Sequence, residues 1–133
     1  MENEQRELWR ARWLSSIAEL TSLALQSEKW LDSTNTNPHW SYIEFTCCYF
    51  DDTLAGSSYQ NLIDEEWVSK SEYDCIKDWH EAVDAYHAPN SDDYDNLAVL
   101  QDSKWRNVVA MGAEAGKELL KLLNPFEAGL LKI

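Results

Sequence analysis

Apolar and polar residues recur along this chain at about the 3.6-residue period of a helix, and one stretch carries that period most clearly. In Ser71 to His87, SEYDCIKDWHEAVDAYH, a rotation of about 100° per residue gathers Cys75, Ile76, Trp79, Ala82, Val83 and Tyr86 on one side, and Asp74, Asp78, Glu81 and Asp84 on the other. One face is core and the opposite face is a strip of carboxylates. Ser71 and Asp74 read as a variant capping box that opens this helix, and Ala88-Pro89-Asn90 closes it.

The remaining segments repeat the pattern. From Glu4 to about Leu31, Trp9, Trp13, Ile17, Leu20, Ala24 and Leu31 share a face, predicting one long helix with a row of core tryptophans. Residues 32–37, DSTNTN, are turn formers, after which Asn37 is positioned to cap a helix with Pro38 at its first position. Residues 39–54, HWSYIEFTCCYFDDTL, read as a central helix with His39, Trp40, Ile43, Cys47, Phe50 and Leu54 on one apolar face and Tyr42, Phe45 and Tyr49 on another, although the β-branched and aromatic content of 42–50 would also suit a strand. Tyr59, Leu62, Ile63 and Trp67 mark a short helix ending near Val68, and Leu97 to Leu100 a turn or two more. Asp102 or Ser103 caps the last long helix, whose face of Trp105, Val108, Val109, Leu119 and Leu120 also holds Gly112 and Gly116, a spacing that lets another helix or a Trp ring approach closely. Asn124-Pro125 stops it. The expected fold is all-α: a single-domain helical bundle of four to five helices spanning residues 1–133, with a short apolar tail at 125–133 that must dock on its own body or on another chain.

Composition sharpens this picture. At 133 residues the chain has a one-domain length, and its 7 Trp, 6 Tyr and 3 Phe supply a substantial core. The three cysteines, Cys47, Cys48 and Cys75, are odd in number and irregular in spacing, so they read as reduced thiols rather than a disulfide framework. The charged opening MENEQRELWRARW has no apolar leader core, and no apolar run approaches the roughly 18 residues of a membrane span. These features predict a cytoplasmic location and no membrane partner.

Net charge is −13, and its distribution is uneven. Residues 51–102 hold 14 acids against only Lys70 and Lys77, whereas residues 103–133 hold 3 acids and 5 bases. Such a middle segment repels phosphate, which argues against nucleic acid and for a basic protein partner. The candidate partner-binding residues are therefore Asp74, Asp78, Glu81 and Asp84, with Trp67, Tyr73 and Tyr94 as aromatic anchors.

Catalytic and metal chemistry finds fewer parts. His80, Asp84 and His87 share a helix edge, but His80 and His87 would lie about 10.5 Å apart along the axis, too far to converge easily on one ion. Glu81 and Asp84 have a magnesium-binding spacing, yet the only ExxE that could pair with it is Glu4 to Glu7; a di-iron site needs Glu-x-x-His on two helices, and only Asp84-x-x-His87 approaches it. Asp92, Asp93 and Asp95 lack the Gly and the closing Glu of a calcium loop. No GxSxG elbow and no Gly-rich phosphate loop occurs. The expectation is a non-enzymatic, immunity-like or nucleic-acid-mimicking binder with no cofactor. The alternatives are a metal-dependent enzyme built on residues 71–87 and a homo-oligomer joined through the C-terminal tail.

Overall fold

The computed structural model describes residues 2–131, and among these all regular structure is helical. Eight α-helices follow one another: α1 (Glu2–Leu20), α2 (Leu23–Trp30), α3 (Tyr42–Cys47), α4 (Tyr59–Asp64), α5 (Lys70–Ala85), α6 (Asn96–Gln101), α7 (Ser103–Leu120) and α8 (Pro125–Leu131). The all-α class holds, while the expected count of four to five helices is too low. The extra starts come from short polar side chains that cap locally. Ser22, Ser41, Ser58, Ser69, Asp95 and Asp102 each accept a backbone amide of the following turn, giving the chain more places to begin a helix than its apolar period reveals.

The first correction concerns the helix expected from Glu4 to Leu31. The Thr21 hydroxyl donates back to the Ile17 carbonyl at 2.9 Å, and Ser22 turns extended to cap α2 through the Leu25 amide. The break resets the helical phase, so Ala24 and Leu31 are exposed while Gln26 and Trp30 are buried. Gln26 is satisfied inside the core: its amide donates to the Glu19 carbonyl at 2.9 Å, and its oxygen accepts from the Trp105 indole at 2.9 Å.

The second correction is the start of the third helix. Asn37 does accept an amide, from His39, but Pro38 to Ser41 remain turns and α3 begins after Ser41. Residues 42–50 are helical, not strand, and bury Tyr42, Phe45 and Tyr49. From Cys48 to Thr53 the turn widens to a π-helix, with the Leu54 amide donating to the Tyr49 carbonyl, five residues back. The Trp9 indole donates to the Thr53 carbonyl at 2.8 Å and so ties this segment to α1. Two further ends fall earlier than expected: α4 stops at Asp64 instead of near Val68, and α7 stops at Leu120.

α5 begins at Lys70, one residue before Ser71, and is capped by Ser69. Its capping box is Ser69 with Glu72, the serine hydroxyl accepting the Glu72 amide and the Glu72 carboxylate accepting the Ser69 amide at 2.9 Å. The helix ends at Ala85, because Tyr86 turns extended and its hydroxyl donates to Asp102 Oδ2 at 2.8 Å. α5 packs along α7, where the Trp79 ring lies against Gly112. A Cβ at Gly112 would sit 2.7 Å from Trp79 Nε1 and collide with Thr21 Cγ2. The close approach expected of the glycine pair is thus made at Gly112, whereas Gly116 has open space before it.

The tail at 125–133 forms α8 as far as Leu131 and folds back on α1; Ile133 lies outside the described residues. Asn124 caps it through the Glu127 amide, and Leu131 is buried on the protein's own body. Arg10, buried on α1, locks this arrangement with all five of its N–H donors. Nη1 donates to Glu72 Oε1 at 2.9 Å and to the Trp67 carbonyl at 3.0 Å, Nη2 to Glu72 Oε2 at 2.6 Å and Glu127 Oε1 at 3.2 Å, and Nε to Glu127 Oε2 at 2.7 Å. One guanidinium therefore joins α1, α5 and α8. The buried apolar residues form a single cluster, with Trp13, Trp79 and Trp105 its largest members.

Candidate functional site

The carboxylate strip of α5 faces outward. Asp74, Asp78, Glu81 and Asp84 are exposed, and only Asp74 has an ion-pair partner among the described residues, Lys70 at 3.1 Å. The bases of α7 do not neutralise this strip. Lys117 pairs with Glu114 at 3.0 Å within α7 and Lys121, at its C-terminal end, with Glu118 at 3.2 Å, while Arg106 donates to the Leu100 carbonyl at 2.7 Å. Exposed i,i+3 pairs of this kind hold little energy. The three aromatic candidates differ in setting. Trp67 is half-buried, edge-on to Trp9 at 5.6 Å, and Tyr73 is half-buried, stacked on Tyr59 at 4.7 Å. Tyr94 is 78 % exposed and lies beyond α5, in the loop before α6.

The histidine edge is divided between interior and solvent. His80 turns inward, with Nδ1 2.8 Å from the Tyr49 hydroxyl, while His87 is exposed and lies past the end of α5, which removes its helical relation to Asp84. No three His, Cys, Asp or Glu side chains converge as metal ligands among the described residues. His80 instead ends a buried chain whose direction is set by its far end. The Trp13 indole can only donate, and it does so to the Tyr59 oxygen at 2.9 Å; the Tyr59 and Tyr49 hydroxyls are 2.7 Å apart. With Tyr59 donating to Tyr49 and Tyr49 to Nδ1 of a neutral His80, the indole proton and both hydroxyl protons have acceptors. Burial holds the His80 imidazole below its ordinary pKa, and the nearby Asp84 and Glu81 offset this only in part, so the neutral form that completes the chain is favoured.

A wide concavity lies elsewhere. α1, the π-helical segment and the turn at 38–41 enclose an open cavity of about 1090 Å³. The Glu19 carboxylate meets His39 Nε2 there at 2.6 Å, with Trp40 beside them and Asp51 and Asp52 exposed on the π turn. Burial raises the Glu19 carboxyl above the usual range, and the hydrogen bond and charge of His39 offset this only in part. Cys48 also lines the cavity, but burial and the charges of Glu19 and Asp52 push its thiol up, the reverse of what a nucleophile requires. A second hollow of about 340 Å³ between α1 and the start of α8 shares Ala11 and Leu130 with the first, so the two adjoin as a groove along α1.

Sequence patterning pointed to the α5 strip and passed over this groove. Glu19 and His39 are separated by a helix break and a loop, so no spacing links them. Asp51-Asp52 did offer a signal: two consecutive carboxylates in a helix apolar on both faces need an exit to solvent, and the wider π turn gives them one. Comparison with family models, with characterised proteins and with solved structures gives no match. Among the described residues, no helix is long and apolar enough to cross a membrane.

Proposed function

We propose that this protein is a non-enzymatic binding module whose acidic surface recognises a basic protein partner. The observation that carries this reading is the absence of any ion pair at Asp78, Glu81 and Asp84 among the described residues, with Lys117 and Lys121 paired to Glu114 and Glu118 instead. Neighbouring carboxylates left without cations repel one another and weaken the compact state, whereas a cationic partner gains from them in long-range steering. Neutralising a basic toxin-like protein in an immunity-like manner, or imitating the charge of nucleic acid, are forms this recognition would take. A reducing cytoplasm suits its three free cysteines.

The test is capture from native cell extract at low salt, followed by association kinetics with each recovered protein. Wild type should associate fast at low ionic strength and slow markedly as the Debye length falls below about 10 Å. The combined variant Asp74→Asn, Asp78→Asn, Glu81→Gln should slow association at low salt while keeping helicity and a melting temperature no lower than wild type, since all three side chains are exposed and their mutual repulsion is removed. Recovery of the same proteins at the same rate and salt dependence by the triple variant would refute the reading.

A further inference from the structure

The α5 strip is exposed helix surface, suited to attracting a partner, and of its carboxylates Asp78 also lines an open hollow of about 650 Å³ against α7. The groove along α1 has the complementary character. It runs from the level of Glu7 to that of Glu19, about 18 Å of helix axis, which matches a peptide segment better than a compact metabolite. Small residues such as Ala11 and Ser15 line it on α1 and let another backbone come close, while Trp40 and Leu130 give it apolar walls. At the wide end, Glu19, Asp51 and Asp52 stand against one lining cation, Arg12, and neither aspartate has an ion-pair partner among the described residues.

We propose that this groove seats the anchoring segment of the basic partner, an amphipathic stretch that places an arginine between Glu19, Asp51 and Asp52 and lays apolar side chains on Trp40 and Leu130. The inference rests on the basic-partner reading given above and adds to it a division of labour: α5 attracts, the groove holds. Arginine fits better than lysine, because its planar guanidinium can engage two carboxylates at once and stack on an indole. An incoming guanidinium would offset, by charge and hydrogen bonding, the desolvation that burial imposes on Glu19 and that His39 offsets only in part. The π turn contributes by directing consecutive aspartates to one rim.

The experiment uses the full chain and a fluorescein-labelled amphipathic peptide of Leu, Ala and Arg, about 12 residues long to match the groove, with a second peptide carrying citrulline at every arginine. Binding is read by anisotropy and by backbone-amide and indole chemical shifts. The arginine peptide should shift the Trp40 indole and the Ser15 and Asp52 amides, and the citrulline peptide should bind at least about tenfold more weakly, as expected on losing a charge-assisted pair. Asp51→Asn with Asp52→Asn should cause a similar loss without lowering the melting temperature. The Asp74, Asp78, Glu81 triple variant should keep the same shift pattern and lose only salt-sensitive association rate. Shifts confined to Asp74–Asp84, or an Asp51/Asp52 variant that binds unchanged, overturn the groove proposal and leave the basic-partner reading standing. Equal binding of the citrulline peptide likewise overturns the groove proposal, since the carboxylates then recognise no arginine there.

Discussion

Replacing Arg10 with methionine, a residue of similar length that lacks all five donors, tests the account of how the fold is held. The guanidinium is buried, and its loss leaves the Glu72 carboxylate almost fully enclosed and Glu127 at 14 % side-chain exposure without a cation. Removing one member of a buried pair costs about 3–5 kcal/mol. Glu127 sits near the end of the chain and can turn to water, so a value near 4 kcal/mol is expected, against a total of about 5–15 kcal/mol for a domain. At about 3–5 °C per kcal/mol for this chain length, the melting temperature should fall by roughly 12–20 °C. The pH dependence gives an independent signature. Burial alone would raise the Glu72 carboxyl, but the hydrogen bonds and charge of Arg10, together with the Ser69 amide, outweigh it and hold the group below its ordinary value. A depressed carboxyl contributes stability that is present above its unfolded pKa and lost as pH falls through the folded one. In the variant the sign reverses, since unopposed burial raises Glu72 and protonation relieves it. Urea unfolding at pH 7 and pH 4.5 should therefore show the gap between wild type and Arg10→Met narrowing on acidification, and Glu72→Gln added to the variant should recover part of the loss. A loss below about 1 kcal/mol, the scale of an exposed pair, or a gap that does not change with pH, would refute the reasoning.

Two further expectations follow from the core. Gly112→Ala forces a methyl into Trp79 and Thr21 and should destabilise by about 1–3 kcal/mol, whereas Gly116→Ala meets nothing within 4 Å and should be neutral or stabilise by up to about 1 kcal/mol; thermal melts that rank the two alike contradict the packing. For His80, a folded pKa below the unfolded one means stability is full above the ordinary imidazole value near 6.5 and falls as pH drops through it towards the folded value. Urea midpoints should accordingly fall between pH 7.5 and 5, less so in His80→Gln, which keeps an acceptor for Tyr49; an imidazole resonance of His80 that titrates at or above 6.5 would contradict the buried chain.

What the sequence determined alone is what a helix encodes locally. The 3.6-residue period placed Ile76, Trp79 and Val83 inside and the carboxylates of α5 outside, grouped Trp105, Val108, Val109 and Leu119 on one buried face, and marked Gly112 as a site of close approach. It could not locate the breaks, because at Thr21–Ser22 and at Ser69 a hydroxyl bonds the backbone at a cost or gain of about 1 kcal/mol, too little to disturb the apolar pattern yet enough to reset its phase. Only tertiary structure decided the rest. Arg10 meets partners 57 to 117 residues away, His80 meets Tyr49 across 31, and Glu19 meets His39 across a helix break and a loop. Those meetings depend on how helices cross, which is fixed by the fit of whole faces against one another and not by the spacing of residues within any one of them.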